Sequence, residues 1–435
     1  MAHLHPALRL IYFFLRILAW LTGHIFYRRR LVLGRAHLQG FQGPAIVVAN
    51  HPSTLMDVLN VGLPIPKEMF FLANYGLFKH PVSNWILTRM FCIPIKRKED
   101  VSEGDVRNND SAFEQSFRHL EKQGVLFIAP EGYSYMNRWV REFKSGTARI
   151  AFGAESRNKW QLGLKIYPVG LTYSAPNLFR SQVVINYGEP LDIASWAAAW
   201  EKHRATAADA LTAELQQRVT ELTVHTRDEA GEEFIGRLAE MLNNANPLPP
   251  AATFQRSQRL AMEQIDQIGL QKQVADYFTA LQTSHLLDIG LEKSRPPGGG
   301  TFFASFMLTL GFPLFALGYA FWWLPCFLPW LLARQLRLYV GYDSNIKTLA
   351  GFIVFPLWLW GAYRIGLHFS GSGGLALLLL LVAVALAFFA ERYQDIFRQF
   401  RERQKATWFA GKQPAAWAEL VAKRRTILAA LGQNG

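Results

Sequence analysis

Apolar runs and amphipathic stretches alternate along the first half of the chain. The β-like runs lie at 44–49, 69–73, 90–95, 125–129, 165–171 and 182–187. Helical stretches fit between them near 54–63, 80–89, 110–122 and 145–157. Because this alternation is typical of an α/β layer fold, the pattern predicts a sheet flanked by helices over residues 40–195.

A different pattern covers the rest of the chain. Residues 195–290 are rich in Ala, Glu, Gln and Leu, which predicts polar amphipathic helices. Three apolar segments follow, at 301–332, 348–369 and 375–390. Since a membrane span needs about 20 apolar residues, we predict about three transmembrane helices, with two or four as alternatives. The first segment contains three prolines that leave a kink or a re-entrant turn open, namely Pro313, Pro325 and Pro329.

The N-terminal segment between Leu8 and Tyr27 is mostly apolar, with Arg9 and Arg16 seven residues apart. On a helix these two arginines fall on nearly one line, and the rest of the surface is apolar. The pattern predicts a helix in the membrane interface, with Arg28 to Arg30 at anionic headgroups. A buried helix and a signal peptide are the alternatives, but the absence of a small-residue cleavage site argues against the latter.

These shifts divide the chain into five predicted regions. They are an N-terminal membrane-associated helix with a basic segment (1–39), an α/β domain (40–195), a helical region (196–295), a transmembrane region (296–390) and a basic tail (391–435). The tail carries nine Lys and Arg against four Asp and Glu. By the positive-inside rule we expect it to face the cytoplasm.

Charge and composition narrow the class of partner. Of the 435 residues, 50% are hydrophobic and only 18% are charged, and the net charge is +13. Such a basic, aromatic-rich chain points to a membrane or a nucleic acid as partner. The positive charge gathers beside the apolar segments and at residues 96–98, and no nucleic-acid motif is present, so we expect membrane lipids and no nucleic acid. The two cysteines exclude a disulfide scaffold.

The most informative string is VVANHPSTLMD at 47–57, where an apolar run ends at Asn50 and His51. A histidine at a strand end with a nearby carboxylate is the arrangement of a general base and the group that fixes its tautomer. Six helical residues would place His51 and Asp57 about 240° apart, so we expect His51 in the loop before the helix. On this fragment alone, a capping histidine beside a solvated aspartate fits equally well.

Four further strings are notable, and the first two consist of an apolar strand that ends in a polar turn. FIAPEGYS at 127–134 places Glu131 and Gly132 at the predicted sheet edge, where open α/β sheets bind ligands. FCIPIKRK at 91–98 ends in Lys96, Arg97 and Lys98, cations that can hold a phosphate. FKSGTARIA at 143–151 and YPVGLTY at 167–173 are the last two notable strings. An ordinary turn and a solvated basic run are the simpler interpretations of the first two.

Together these strings resemble the four ordered blocks of the glycerolipid acyltransferase family, which includes glycerol-3-phosphate and lysophosphatidate acyltransferases. The resemblance covers roughly residues 40–195 and implies the family's mixed sheet flanked by helices. It implies these roles: His51 and Asp57 as the catalytic pair, Arg97 and neighbouring Lys96 as phosphate contacts, Glu131 and Gly132 as the acceptor-binding turn, and Pro168 as the family proline.

The chain departs from the commonest family pattern in two places. Five residues rather than four separate His51 from Asp57, and Tyr133 and Ser134 replace the usual Thr-Arg after Glu-Gly. Both departures resemble a subgroup that carries a later Lys-any-Gly-any-Ala-Arg element and acylates glycerol 3-phosphate or dihydroxyacetone phosphate. That element is Lys144, Gly146, Ala148 and Arg149, and we assign part of the phosphate-binding role to Lys144 and Arg149.

The resemblance implies direct acyl transfer from an acyl thioester to a hydroxyl of glycerol 3-phosphate or a lysophospholipid, in phospholipid biosynthesis. It implies no metal and no cofactor, with acyl-CoA or acyl-carrier protein as co-substrate. We expect an integral protein of a bacterial cytoplasmic (inner) membrane, with its catalytic domain facing the cytoplasm. The alternative is a membrane transport or scaffold protein with a non-catalytic acyltransferase-like domain.

Overall fold

A computed structural model describes residues 6–89, 91–96, 109–263, 268–293 and 299–432. Contacts between residues divide the chain into two units. The first comprises Met1–Arg227 together with the short segment Tyr339–Asn345, and the second comprises Asp228–Leu338 and Ile346–Gly435. The five predicted regions stay predictions, and the two units are described in turn.

The first unit is built on a mixed eight-stranded sheet. Its strands are β1 (Arg29–Leu33), β2 (Ala45–Ala49), β3 (Met69–Asn74), β4 (Cys92–Ile95), β5 (Val125–Ile128), β6 (Lys165–Tyr173), β7 (Gln182–Tyr187) and β8 (Leu191–Asp192). The order is β1-β7-β6-β2-β5-β3-β4, with β8 beside β6. Strands β6, β2, β5, β3 and β4 run parallel, so their carboxyl ends share one edge.

Helices cover both faces of this sheet. They are α1 (Pro6–Phe26), α2 (Leu55–Gly62), α3 (Pro81–Arg89), α4 (Asp110–Glu121), α5 (Gly146–Arg157), α6 (Ala197–Lys202) and α7 (Arg204–Glu221). One apolar core joins the sheet to α4, α5 and α7, and the other joins it to α2 and the end of α1. The predicted α/β fold with a mixed sheet flanked by helices is confirmed. The pattern missed only the short strands β1 and β8.

Helix α1 presents an apolar face away from the domain. Eight large side chains on that face are exposed: Leu10, Ile11, Phe13, Phe14, Ile17, Trp20, Leu21 and Ile25. On the opposite side the Arg16 guanidinium donates to the carbonyls of Ile65 and Leu63, at 2.6 and 2.7 Å. These carbonyls lie at the C-terminal end of α2, where a cation is favourable. The arginine stripe therefore faces protein, and the apolar face of α1 is the exposed one.

The second unit is helical in its described residues. Its helices are α8 (Glu229–Ala245), α9 (Pro250–Met262), α10 (Ile268–Thr283), α11 (Asp288–Lys293), α12 (Gly299–Leu336), α13 (Asp343–Ser370), α14 (Gly373–Lys412) and α15 (Pro414–Gly432). Four helices of the chain are long and apolar enough to cross a membrane: α1, α12, α13 and α14. The three predicted C-terminal segments each form one of them.

Two details of this unit differ from the sequence interpretation. The three prolines of α12 lie inside one continuous helix, so no re-entrant turn forms there. Helix α14 does not end near residue 390 but continues to Lys412, and it packs on α11 and α15. A buried ion pair ties α15 to α11, because the Arg424 Nε donates to the Asp288 Oδ1 at 2.8 Å. The basic tail is therefore folded against the helical region.

Candidate active site

His51, the predicted catalytic histidine, follows the central strand. Strand β2 ends at Ala49, and the Asn50 side chain exchanges two hydrogen bonds with the backbone of Leu171 in β6, at 2.8 and 2.9 Å. This pairing holds the end of β2 against its neighbour. His51 comes next, in a loop that continues until α2 begins at Leu55. The predicted loop position of His51 is confirmed, and α2 begins one residue after the start predicted near residue 54.

His51 and Asp57 meet at the start of α2. The His51 Nδ1 lies 2.9 Å from the Asp57 Oδ2, within ion-pair distance although not aligned as a good hydrogen bond. The Asp57 side chain is fully buried, whereas 16% of the His51 side chain is exposed. Because Nδ1 faces the carboxylate, a substrate proton would be exchanged at Nε2. The two residues are therefore brought together as the sequence predicted.

Asp57 has two further donors that fix its carboxylate. The Ser53 backbone N–H donates to Oδ2 at 2.7 Å, and the Tyr173 hydroxyl donates to Oδ1 at 2.6 Å. Burial is the main reason why the pKa of Tyr173 lies well above its usual value, so its hydroxyl keeps the proton that it donates. These two donors, on opposite oxygens, hold the carboxylate in one orientation against His51.

A chain of hydrogen bonds continues from Tyr173 to the N-terminal segment. The Asn60 Nδ2 donates to the Tyr173 hydroxyl at 3.2 Å, and the Arg30 Nε donates to the Asn60 Oδ1 at 3.0 Å. Arg30 was expected at lipid headgroups, but the structure turns it inward, where its Nη2 also donates to the Asn60 carbonyl. None of these three residues was given a place at the site from the sequence, although Tyr173 ends the YPVGLTY string and Asn60 lies only nine residues after His51.

Glu131 and Gly132 form the turn after β5, the strand next to β2. The Glu131 side chain is buried, and burial raises its pKa to about 8, although hydrogen bonds from the backbones of Arg141 and His51 oppose this. The carboxyl is therefore largely protonated at neutral pH and can donate a hydrogen bond. Gly132 has a φ of +81°, and a Cβ there would lie 2.7 Å from the Lys144 Nζ. The positive φ favours glycine at this position, whereas the flexible Lys144 side chain could move away from a Cβ.

The predicted cations lie in different places. Lys144 packs its Nζ against Gly132 and 4.9 Å from the centre of the Tyr133 ring, so it flanks the Glu131 turn. Lys96 follows β4, three strands from β2, which is about 14 Å at the usual strand spacing. Arg149 is exposed and lies over the Phe113 ring. Arg97 lies outside the described residues.

The last predicted residue, Pro168, is part of the sheet. It is buried in β6, opposite Val48 of β2. Its carbonyl accepts a hydrogen bond from the Gly188 N–H at 2.9 Å. The structure therefore gives Pro168 a place in the strand beside β2, which carries His51 at its end. The substrate-binding role that the resemblance implies for it stays a prediction.

Arg141 is a cation of this site that the motifs did not indicate. Its guanidinium lies over the rings of Tyr135 and Trp139, 4.7 and 4.4 Å from their centres. Its Nη2 donates to Asn137, while its Nε is buried and has no hydrogen-bond partner among the described residues. Because its backbone N–H also binds Glu131, the Arg141 residue adjoins the Glu131 turn. The aromatic and basic run YMNRWVR at 135–141 is the only sequence signal for it.

Comparisons with known proteins agree with this geometry. The family model described as Acyltransferase matches residues 32–172. Glycerol-3-phosphate O-acyltransferase 2 of Saccharomyces cerevisiae is 36% identical over 84 residues, which cover 19% of this chain and 11% of the yeast protein. Glycerol-3-phosphate O-acyltransferase 1 of the same yeast is 32% identical over 81 residues, which cover 19% of this chain and 10% of that protein. The chloroplastic 1-acyl-sn-glycerol-3-phosphate acyltransferase LPAT1 of Arabidopsis thaliana is 24% identical over 41% of this chain and 45% of that protein.

This chain therefore spans about a tenth of the yeast relatives and under half of the plant one. Among solved structures, the 1-acyl-sn-glycerophosphate acyltransferase PlsC from Thermotoga maritima has a TM-score of 0.35 and 19% identity, covering 50% of this chain and 83% of that chain. The family match includes the His51–Asp57 pair and the Glu131 turn within its bounds. Residues 32–172 therefore match the acyltransferase family model.

Proposed function

We propose that the protein is a membrane-bound O-acyltransferase of phospholipid biosynthesis. It moves a fatty acyl group from an acyl thioester, acyl-CoA or acyl-carrier protein, to a hydroxyl of glycerol 3-phosphate or a lysophospholipid. The observation that carries this proposal is the His51–Asp57 pair, with 2.9 Å between Nδ1 and Oδ2, at the end of the central strand. A partly exposed imidazole backed by a buried carboxylate is the arrangement of a general base.

In the proposed reaction His51 acts on the reacting atoms of the two substrates, and Asp57 supports it. The His51 Nε2 takes the proton of the acceptor hydroxyl while its oxygen attacks the thioester carbonyl carbon. The tetrahedral intermediate collapses, the C–S bond breaks, and the imidazolium returns the proton to the leaving thiolate. Asp57 stabilises the imidazolium by its charge and keeps the ring oriented. Tyr173 and the Ser53 N–H hold Asp57 in place for this role.

The acceptor would lie against the turn that follows β5. A phosphate would find the positive charge of Lys144 and Arg141 there, and the protonated Glu131 can donate to an acceptor oxygen. Arginine is suited to bidentate phosphate contact. We retain Arg97, Lys96 and Arg149 as further phosphate contacts. Names of relatives include both glycerol-3-phosphate and 1-acylglycerol-3-phosphate acyltransferases, so the proposal covers both acceptor classes. The motif departures favour glycerol 3-phosphate or dihydroxyacetone phosphate.

A membrane location fits the chemistry of the substrates. Each buried CH₂ of an acyl chain contributes about 0.8 kcal/mol of membrane affinity, so a lysolipid and the product stay in the bilayer. The exposed apolar face of α1 and the three long C-terminal helices supply the lipid contact. Because the acyl donor is soluble, we propose that the catalytic domain faces the cytoplasm, and we expect a bacterial inner membrane.

An acceptor panel with one labelled acyl-CoA tests the proposal. Purified protein in lipid vesicles is given glycerol 3-phosphate, dihydroxyacetone phosphate or lysophosphatidate, and the radiolabelled lipid product is counted. The variant His51→Ala should abolish transfer, while His37→Ala, an exposed histidine in another turn, should retain it. Full activity of His51→Ala would refute the proposed mechanism.

The second candidate is a membrane transport or scaffold protein whose domain has lost catalysis. The observation in its favour is that the long C-terminal helices lie outside the matched residues 32–172. Absence of thioester turnover by the wild-type protein with every acceptor would favour this candidate.

A further inference from the structure

A short segment that follows α12 and includes the first three residues of α13 belongs to the first unit. Residues Tyr339–Asn345 group by their contacts with Met1–Arg227 rather than with the rest of the C-terminal half. The Ser344 residue in this segment is fully buried. The family match ends at residue 172, so this contact brings a part of the chain from outside the family domain to the site.

The segment makes two hydrogen bonds to the loop that follows His51. The Ser344 Oγ lies 3.1 Å from the Ser53 Oγ, and the Ser53 hydroxyl also donates to the Pro176 carbonyl at 3.2 Å. Because a hydroxyl has one proton, Ser344 is the donor in the serine pair. The Asn345 Nδ2 donates to the Thr54 Oγ1. Two consecutive residues of the segment thus bind two consecutive residues of the loop.

Ser53 and Thr54 control the position of Asp57. The Ser53 backbone N–H donates to the Asp57 Oδ2 that faces His51. Thr54 has a φ of 48°, a conformation that a β-branched residue rarely adopts. Such a conformation persists only where the surroundings hold it. Thr54 is held from both ends, because its N–H donates to the Ser134 Oγ at 3.2 Å and its side chain binds Asn345.

We propose that Ser344 and Asn345 are positioning residues for acyl transfer. They hold Ser53 and Thr54 so that the Asp57 carboxylate stays against the His51 ring. This inference rests on the proposed function for its catalytic consequence. It gives the C-terminal half of the chain a part in the reaction, since the segment that binds the catalytic loop joins two of the long apolar helices.

The experiment uses the full chain in lipid vesicles and the variants Ser344→Ala, Asn345→Ala and Ser53→Ala. Ser372→Ala is the matched control, because Ser372 lies in the next turn between long helices and its hydroxyl caps α14 without touching the catalytic loop. Two properties are measured. Hydrogen exchange reports the protection of the amides of residues 53–57, and steady-state kinetics with labelled acyl-CoA report kcat and KM separately.

We expect faster exchange at residues 53–57 in Ser344→Ala and Asn345→Ala, and unchanged exchange there in Ser372→Ala. We expect kcat to fall about three- to tenfold, as for the loss of one net hydrogen bond, with both KM values near wild type. The fold-decreases in kcat caused by Ser344→Ala and by Ser53→Ala should not multiply in the double variant, because both substitutions remove the same contact.

Unchanged exchange at residues 53–57 would overturn the inference, as would faster exchange with wild-type kcat. An equal fall of kcat in Ser372→Ala would also overturn it, since the effect would then be general destabilisation. A wild-type protein without acyl transfer would refute the proposed function and the catalytic part of this inference together. The exchange data would still decide whether the segment holds the loop.

Discussion

The hydrogen bond from Tyr173 to Asp57 permits a direct test of how the catalytic pair is held. The variant Tyr173→Phe removes only the hydroxyl, which lies 2.6 Å from the Asp57 Oδ1 in a fully buried site. Hydrogen bonds to charged groups contribute about 1.5–3 kcal/mol, which corresponds to a factor of about 10 to 150. In this variant Asp57 still accepts the hydrogen bond from the Ser53 N–H and still contacts the His51 ring, so its carboxylate is held less firmly but stays in the site.

We therefore expect kcat to fall about 10- to 100-fold with KM for both substrates little changed, because the contact supports the imidazolium that forms in the transition state. The assay is labelled acyl transfer under saturating acceptor, with thermal unfolding to exclude a general loss of structure. Tyr167→Phe is the control, a buried tyrosine on the same strand whose ring packs on Phe41. A kcat of Tyr173→Phe within twofold of wild type would refute the reasoning.

Three further predictions follow from the described contacts. Burial raises the pKa of Glu131 from 4.5 to about 8, so the folded protein holds a proton that the unfolded chain releases earlier. Stability should therefore decline as the pH rises from about 4.5 to about 8, and Glu131→Gln should remove that slope in thermal unfolding. Arg141→Gln should raise the KM for a phosphate-bearing acceptor about tenfold or more, because one charge-assisted hydrogen bond to the phosphate is lost. The KM for a neutral monoacylglycerol should not change, and equal effects on both acceptors would contradict this prediction. Arg424→Met should lower the unfolding free energy by about 1.5–3 kcal/mol, since the buried Asp288 loses its cation but keeps hydrogen bonds from Tyr277 and Asn244. An unchanged unfolding temperature would contradict that.

The local periodicity predicted most elements because it reports burial directly. Strand β2 is apolar at every position, since helices cover both sheet faces, and α5 differs from its predicted range by one residue at the start. Strand β1 was missed because its sequence, RRLVL, begins with two arginines and lies at the sheet edge. The length of α14 was underestimated because the apolar pattern ends near residue 390, whereas the polar half that follows packs on other helices.

The sequence by itself determined the α/β character of the domain, the long apolar helices and the pairing of His51 with Asp57. These features depend on short-range pattern, and the pair lies within seven residues. Only the tertiary structure decided what surrounds that pair. Tyr173 lies 116 residues from Asp57, and Ser344 lies 291 residues from Ser53. Such contacts depend on which strands become neighbours and which turn folds back, and no local pattern of hydrophobic and polar residues records that choice.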